Sequence, residues 1–408
     1  MTRMSAANSP GLTAEIGIVG AGVVGLCLAS LLAEAGIAVV VVEAEPSINL
    51  DLRASTFHPP TLDMLETLGV ATGLLDQGLI CPNWQIRLHP SGERAVFDMS
   101  VLEPDTKHPY RLQCEQWKLS QALLGRLRAQ AEVDIRFATR FVALAQRDDC
   151  VAAEVETGAG RESLRFAYLI GCDGARSTVR EAVGLEFSGV TYPETTILAT
   201  TRFAFEEHLE GLSNVTYCWK ADGNFSLLKV PGRWRVSIYP QEDLSIEEQM
   251  APAAIQASLQ DIVRRDELYE VLEQRPYRVH MRIVPDYRVG RVLLAGDAAH
   301  VNSPSGGMGL NGGLHDAFEL AKALGAIHQG HGDADLLDRY TRRRRIVARE
   351  EILAQADRNR ARMREKDPER RRAMLKELQQ VCADRDRLRA YLRRSSMFDG
   401  LARAAAIE

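Results

Sequence analysis

Three glycines near the start of the chain form the clearest chemical pattern in the sequence. Gly20, Gly22 and Gly25 stand between two apolar runs in the spacing GxGxxG. In this spacing the first glycine permits a tight turn, the second lets the backbone approach a pyrophosphate, and the third lets a helix pack closely on a strand. The N–H groups at the start of that helix attract phosphates. The pattern predicts a dinucleotide-binding loop.

An acidic residue later in the same unit supports this interpretation. Glu43 ends the predicted second strand, 18 residues after Gly25, where a carboxylate accepts hydrogen bonds from the ribose hydroxyls of a dinucleotide. A carboxylate there hinders a ribose 2′-phosphate, so the predicted nucleotide is FAD or NAD rather than NADP. The predicted contacts in this unit are Gly20, Gly22, Val24, Gly25 and Glu43.

Two later segments favour FAD over NAD. Residues 168–180 read YLIGCDGARSTVR and contain Asp173, and residues 291–324 contain the run GDAAHVNSPSGGMGLNGG. The pair Arg53-Ala54 stands between the GxGxxG loop and these motifs. Taken together, the four motifs follow one another over nearly the whole chain. In this order the sequence resembles the single-component FAD-dependent aromatic hydroxylases typified by p-hydroxybenzoate hydroxylase.

The resemblance implies roles for residues around FAD. Asp297 binds the ribityl hydroxyls, Pro304 lies beside the flavin, and Leu310 and Asn311 present backbone N–H groups near its N1–O2 edge. Arg53 contacts the pyrophosphate. For Asp173, direct contact with a ligand and shaping of its own loop are both open. Beyond the first loop, the residues implied to bind FAD are Arg53, Ala54, Gln116, Asp173, Gly296, Asp297, Pro304, Gly306, Gly307, Gly309, Leu310 and Asn311.

The resemblance also implies a reaction. FAD is bound non-covalently, NADH or NADPH reduces it as a transient co-substrate, and O2 forms a flavin C4a-hydroperoxide that hydroxylates a small phenolic or hydroxypyridine carboxylic acid. Asp51 stands where some relatives carry a second arginine, which leaves the choice between NADH and NADPH open. His300 fits the family pattern as a supporting residue. No metal is expected, because the histidines show no ligand spacing.

The substrate is expected to lie against a sheet. Between about residues 190 and 285, β-branched and aromatic residues alternate with polar ones, which is typical of antiparallel strands with one solvated face. An arginine there can pair with a substrate carboxylate, and a tyrosine can hydrogen-bond a ring hydroxyl. No catalytic base is assigned. The candidate substrate contacts are Arg202, Tyr217, Trp219, Phe225, Leu227, Arg235 and Tyr239.

These elements predict an α/β fold in three parts. A Rossmann-like FAD-binding domain is discontinuous and comprises residues 13–82, 101–190 and 281–340. A mostly antiparallel β-sheet substrate domain, residues 83–100 and 191–280, is inserted into it. Charged helices form residues 341–408.

The last part contains a strongly basic segment. From Arg339 to Lys376 there are 15 Lys and Arg against 6 Asp and Glu. Such a segment can bind nucleic acid or an anionic membrane. The alternative is a helix that packs on the rest of the chain or on a second subunit, and we favour it. A homodimer is consistent with that packing. The apolar positions available are Ile346, Leu353, Met363, Met374 and Leu378.

Composition narrows the class of protein. The 408 residues carry a net charge of −5, which does not favour nucleic acid as a partner. Seven scattered cysteines without a CxxC pair favour reduced thiols in the cytoplasm over a zinc site. The apolar stretch from Ile16 to Val42 is interrupted by glycines and Glu34, which favours buried strands and a helix over a membrane span. No stable membrane association is expected.

The main prediction is therefore an FAD-dependent aromatic monooxygenase. Two other functions remain open. An FAD-dependent reductase or dehydrogenase, or a ubiquinone-pathway-like hydroxylase, acts on a quinone or polyprenyl lipid. The other function is that of a flavin-loaded binding protein that binds nucleic acid through the basic segment.

Overall fold

Strands dominate the first three quarters of the chain, and helices form its end. A computed structural model describes residues 11–50, 54–239, 244–304 and 306–408. The strands are β1 (Ala14–Val19), β2 (Val39–Val42), β3 (Thr56–Phe57), β4 (Leu79–Cys81), β5 (Asn83–Leu88), β6 (Arg94–Asp98), β7 (Arg111–Gln113), β8 (Val133–Arg136), β9 (Arg140–Gln146), β10 (Val151–Thr157), β11 (Gly160–Gly171), β12 (Ser188–Thr201), β13 (Val215–Lys220), β14 (Gly223–Val230), β15 (Arg233–Ile238), β16 (Glu273–Ile283), β17 (Arg288–Val289), β18 (Val292–Leu294) and β19 (His300–Val301).

The helices lie mostly around the first sheet and after residue 307. They are α1 (Val23–Glu34), α2 (Pro59–Thr67), α3 (Ala71–Leu75), α4 (Gln116–Leu127), α5 (Thr178–Ala182), α6 (Ile246–Met250), α7 (Pro252–Ile262), α8 (Met308–His328), α9 (Asp335–Val347), α10 (Ala354–Arg364), α11 (Pro368–Ala383), α12 (Arg385–Ser395) and α13 (Phe398–Ala405). A π-helical turn, Ala348–Leu353, connects α9 to α10. In the part of the chain that the structure describes, no helix is both long and apolar enough to cross a membrane.

The first sheet has a parallel centre. Its strands run β18, β11, β1, β2 and β8 side by side in parallel, with β17 antiparallel at one edge. All four residues of β2 are valines and all are buried, as expected for a parallel strand that is covered on both faces. The predicted strand, turn, helix and strand over residues 14–43 are confirmed as β1, α1 and β2.

The second sheet is almost entirely antiparallel. Its order is β19, β16, β12, β15, β14, β13, β5 and β6, and only the pairing of β13 with β5 is parallel. The strands from residues 83–98 thus join strands that follow more than a hundred residues later. The predicted α/β fold with an inserted, mostly antiparallel sheet and a helical C-terminal segment is confirmed.

The two faces of the second sheet pack against different helices. On one face, Trp84 and Trp219 share an apolar cluster with Leu375 of α11 and Leu392 of α12. On the other face, strands β14 and β15 pack against α7 in a separate cluster. Burial of the large aromatic side chains drives both contacts. The C-terminal helices therefore cover one face of the substrate sheet.

The basic segment makes its ion pairs within the chain. Arg343 pairs with Glu319 at 2.7 Å, and Arg344 pairs with Asp316 at 2.6 Å. The apolar positions Leu353, Met363 and Leu378 are buried, and Ile346 and Met374 are partly buried. These contacts agree with the packing interpretation of the segment.

Candidate active site

The glycine-rich loop has the geometry that its spacing predicts. A Cβ on Gly25 would lie 2.0 Å from the carbonyl oxygen of Gly20, so the helix can approach the strand this closely only without a side chain. A Cβ on Gly22 would meet nothing within 4 Å. Gly22 is also the N-cap of α1, which has no side-chain cap, so its first N–H groups are available to a ligand. The loop fits a pyrophosphate.

Glu43 stabilises this loop and faces it from the end of β2. Its carboxylate accepts hydrogen bonds from the N–H of Ala21 at 2.8 Å and from the N–H of Glu45 at 3.0 Å. A carboxylate has about four acceptor positions, so two are left for ribose hydroxyls. The side chain is only partly buried, and a ligand can reach it.

Val24 is the point where three predicted FAD-binding segments meet. A Cβ on Gly296 would lie 3.0 Å from the side chain of Val24, and one on Gly313 would lie 2.8 Å from it. The GxGxxG loop, the Gly296-Asp297 turn and helix α8 therefore converge, although the loop precedes the other two by some 270 residues in the chain. Asp297 itself is exposed beside this junction.

A buried carboxylate, Asp316 of α8, fixes the Gly296 turn through a hydrogen bond to its backbone. Its oxygens accept hydrogen bonds from the N–H of Gly296 at 3.0 Å and from Nε of Arg344 at 2.6 Å, and one lies 2.7 Å from Nε2 of His300. Burial by itself raises the pKa of Asp316, but His300 and Arg344 outweigh it and lower the pKa to about 2. His300 thus supports the site through Asp316. The sequence analysis missed Asp316, whose only signal is an acid within an apolar helix.

The start of α8 is tied to the segment that follows Arg53-Ala54. Gly307 is the N-cap, with φ of +68°, and it precedes the first N–H groups of Met308, Gly309 and Leu310. The side chain of Asn311 accepts a hydrogen bond from the N–H of His58 at 2.9 Å and donates one to the carbonyl of Thr56 at 2.9 Å. Asn311 therefore has a bridging role besides its predicted backbone contact.

His58 is fully buried beside the turn at Gly306. Its Nε2 lies 2.8 Å from the carbonyl oxygen of Gly306, which can only accept, so Nε2 carries the hydrogen. Burial, together with the guanidinium of Arg111, lowers the pKa of His58 to about 3. The ring is therefore neutral at ordinary pH, and its Nδ1 has no hydrogen-bond partner among the described residues.

A second buried histidine makes stability sensitive to acid. Burial lowers the pKa of His315 to about 3, as for His58. In the unfolded chain the imidazoles of His58 and His315 bind protons near pH 6.5, whereas in the folded chain they do so only near pH 3. The contribution of these two groups to stability is therefore complete above pH 6.5 and decreases as the pH falls. With two groups we expect the free energy of unfolding to fall by up to about 2.7 kcal/mol per pH unit. Urea unfolding between pH 7 and 5 measures this slope.

The control for this prediction is His315→Gln, which removes one of the two groups. Its slope should be about half that of the unchanged chain. An equal slope in both proteins would contradict the assignment of the acid sensitivity to these histidines.

The remaining predicted FAD contacts lie as follows. Arg53, like Asp51, lies outside the described residues. The carbonyl of Ala54 accepts a hydrogen bond from the N–H of Gln116 at 3.0 Å, and Pro304 is exposed just before the turn that leads to α8. Asp173 accepts hydrogen bonds from Ser177 Oγ at 2.5 Å and from the N–H of Val179 at 3.1 Å, so it shapes its own loop.

We call the junction of the GxGxxG loop, the Gly296 turn and the start of α8 the FAD cleft. A cavity lies between Gly306, at the start of α8, and the second sheet. Trp84 and Ile86 of β5, Arg111 of β7 and Tyr217 of β13 form one wall, and Gly306 closes it on the side of α8. Of the candidates from the sheet, Tyr217 is thus placed in the cavity. Trp84 stacks on Phe97 with ring centroids 3.9 Å apart, which holds this wall rigid.

The other wall comes from the C-terminal helices. Asn359, Arg362 and Met363 of α10 and Tyr391 and Ser395 of α12 line it. Nη1 of Arg362 donates to the hydroxyl of Tyr391 at 3.0 Å. The sequence analysis did not place these helices at the site. The apolar stripe of a helix shows that the helix packs on the protein, but it does not show against which cavity it packs.

Strand register explains why other candidates are placed elsewhere. Phe225 pairs with Cys218, the neighbour of Tyr217, so Phe225 and Leu227 point to the opposite face and pack in the α7 cluster. Alternate residues of a strand face opposite sides. Arg202 is exposed and pairs with Glu270 at 2.8 Å. The structure therefore places these three candidates away from the cavity.

The last three candidates are not among the residues that line the cavity. The indole N–H of Trp219 donates to the carbonyl of Arg362 at 3.0 Å and so fixes α10. Arg235 is buried and donates to Ser55 Oγ at 2.7 Å, which joins the sheet to the segment after Ala54. Tyr239 follows β15 and is partly buried.

Comparison with known proteins defines the class to which this fold and cleft belong. A family model described as "FAD binding domain" matches residues 13–355. The chain belongs to this family and, within it, to the single-component FAD-dependent aromatic hydroxylases similar to p-hydroxybenzoate hydroxylase.

Two relatives and one solved structure are similar to the chain over most of their length. The chain is 37% identical to para-nitrophenol 4-monooxygenase of Pseudomonas sp. (strain WBC-3), over 87% of this chain and 88% of that protein. It is 34% identical to 6-hydroxy-3-succinoylpyridine 3-monooxygenase of Pseudomonas putida, over 92% and 96%. The crystal structure of p-nitrophenol 4-monooxygenase from Pseudomonas putida DLL-E4 matches with a TM-score of 0.88 and 33% identity, over 95% and 98% of the two chains.

The protein is accordingly an FAD-dependent aromatic monooxygenase that uses NAD(P)H and O2. The relatives agree with this prediction and not with a reductase or a lipid-directed hydroxylase.

Proposed function

We propose that this enzyme hydroxylates a small, single-ring phenol or hydroxypyridine that carries an electron-withdrawing group. The observation that carries the proposal is the cavity beside Gly306, walled by the rings of Trp84, Tyr217 and Tyr391 and containing Arg111. The relatives named above act on p-nitrophenol and on 6-hydroxy-3-succinoylpyridine, which are single rings of this kind.

We assign the FAD contacts to the residues that converge at Val24 and at the start of α8. Bound there, FAD supplies the redox chemistry with NAD(P)H and O2. The proposed contacts within the described residues are Gly20, Gly22, Val24, Gly25, Glu43, Ala54, Gln116, Gly296, Asp297, Pro304, Gly307, Gly309, Leu310 and Asn311.

The chain's own side chains then orient the substrate and exclude water. Tyr217 and Tyr391 contact the substrate ring through their aromatic rings, and Trp84 contacts it through its edge. The hydroxyl of Tyr217 lies beside the guanidinium of Arg111, so a substrate oxygen near Arg111 can also receive a hydrogen bond from Tyr217. A cation beside a phenolic oxygen favours its anion, which is the more reactive form of the ring. Met363 and Ile86 add apolar surface to the cavity.

The FAD-loaded protein should oxidise NADH or NADPH faster when 4-nitrophenol or a hydroxypyridine acid is added. The product should contain one oxygen atom from ¹⁸O2 per NAD(P)H consumed, as judged by mass spectrometry. Comparison of the two donors identifies the preferred one. Oxidation that yields only peroxide with every ring tested would contradict the proposed substrate class.

We also infer a cytoplasmic location, supported by seven free cysteines, of which five are buried. The homodimer stays a prediction, which light scattering of the purified protein tests.

A further inference from the structure

The cavity contains a cation whose hydrogen-bonding capacity is largely unused. Arg111 is only 3% exposed, and its Nε and Nη1 have no hydrogen-bond partner among the described residues. Its guanidinium lies over the ring of Trp84, 4.7 Å from the centroid. Burial is the main influence on the pKa of Arg111 and lowers it, and the hydroxyls of Tyr217, which also accepts a hydrogen bond from the guanidinium, and of Tyr391 oppose this effect. No Asp or Glu lines the cavity in the part of the chain that the structure describes.

A second unpaired donor lies on the same wall. The indole Nε1 of Trp84 is buried and has no partner among the described residues, and the indole is fixed by its stacking on Phe97. The other cavity arginine differs, because Arg362 already donates to Tyr391. Arg111 and Trp84 together therefore present donors only.

Such an arrangement is costly unless a ligand completes it. A buried charge or donor without a partner loses the free energy of its hydration, and a buried cation is stabilised by an opposite charge. A guanidinium presents its donors in a rigid planar fork that matches two oxygens on one atom. Carboxylate and nitro groups have this geometry, and a phenolate oxygen provides a single charged acceptor.

We propose that Arg111 and Trp84 form an anion-binding subsite that holds an acceptor oxygen of the aromatic substrate. The subsite selects rings that carry a carboxylate, nitro or phenolate oxygen over neutral rings of the same size. Because it fixes one end of the ring, it also determines which carbon faces the cleft. This inference rests on the proposed function, since it concerns the substrate of the same cavity.

Titration calorimetry on the FAD-loaded protein without NAD(P)H tests the subsite. The probes are 4-nitrophenol, benzoate, which has no hydroxyl, and 4-hydroxybenzyl alcohol, which is a phenol without a strong acceptor group. In Arg111→Gln we expect the dissociation constant of 4-nitrophenol to rise roughly 10- to 100-fold, the usual effect of losing hydrogen bonds from a charged group. Binding of the alcohol should change by less than about threefold.

Two further variants separate the subsite from general damage. Arg161→Gln makes the same chemical change at an exposed position that pairs with Glu156, and it should leave all three constants unchanged. Arg111→Lys keeps the charge but not the fork, and it should weaken 4-nitrophenol binding less than Arg111→Gln does. If Arg111→Gln does not fold, Arg111→Lys and the order of the probes on the unchanged enzyme, with anions bound tighter than the alcohol, carry the test.

The outcomes distinguish this inference from the proposed function. Binding of benzoate but of no phenol, with loss in Arg111→Gln, would support the subsite and overturn the phenol proposal. A folded, FAD-loaded Arg111→Gln that binds 4-nitrophenol as tightly as the unchanged enzyme would overturn the subsite. So would an unchanged enzyme that binds neither anion.

Discussion

Replacing Gly25 with alanine is expected to destabilise the protein by about 3 kcal/mol or more, the upper range for overpacking a tight contact, and to abolish FAD binding. The new Cβ would lie 2.0 Å from the carbonyl oxygen of Gly20. That atom is backbone at the end of β1, so it cannot rotate away as a flexible side chain would. Helix α1 must then move from the sheet, and its N-terminus leaves the phosphate position. Thermal unfolding and quenching of FAD fluorescence measure the two effects.

Gly22→Ala is the matched control, because it adds the same methyl group three residues earlier. Nothing lies within 4 Å of that Cβ, and the φ of Gly22 is −72°, which alanine adopts freely. Its stability should stay within about 1 kcal/mol of the unchanged chain. FAD should still bind more weakly, since the methyl group faces the proposed pyrophosphate position. Equal FAD affinity in Gly25→Ala and the unchanged chain would rule out this account of the loop.

Asp316→Asn is expected to lower the free energy of unfolding by about 3–5 kcal/mol, the usual cost of leaving a buried ion pair with one charge. The substitution keeps the shape of the side chain but leaves Arg344, which is 1% exposed, without its counter-charge. It also weakens the hold on Gly296 and His300, so FAD affinity should fall as well. Urea unfolding and FAD titration provide the measurements.

A double variant tests whether the loss comes from the ion pair. Asp316→Asn combined with Arg344→Met removes both charges, so the two effects should be less than additive. The double variant should therefore be more stable than the sum of the single changes predicts. Strict additivity, or an Asp316→Asn variant within about 1 kcal/mol of the unchanged chain, would show that the pair contributes little.

Local features of the sequence determined the FAD-binding half of the protein. The turn at Gly20, the open approach at Gly22 and the close packing at Gly25 depend on residues within one strand, turn and helix. Glycine spacing and hydrophobic pattern encode such a unit directly. The start of α8 at Met308, directly after the glycines of its loop, follows from the same kind of local signal.

Only the tertiary structure decided the substrate cavity. The face to which Tyr217 or Phe225 points depends on strand register, and a shift of one residue exchanges the two faces. The cavity also combines Trp84 of β5, Arg111 of β7 and Tyr391 of α12, which belong to three separate elements. Each of them is an ordinary aromatic or basic residue in its own segment. Their chemical role comes from being brought together in one cavity, which has no Asp or Glu among its described lining residues, and no local pattern of the sequence records this.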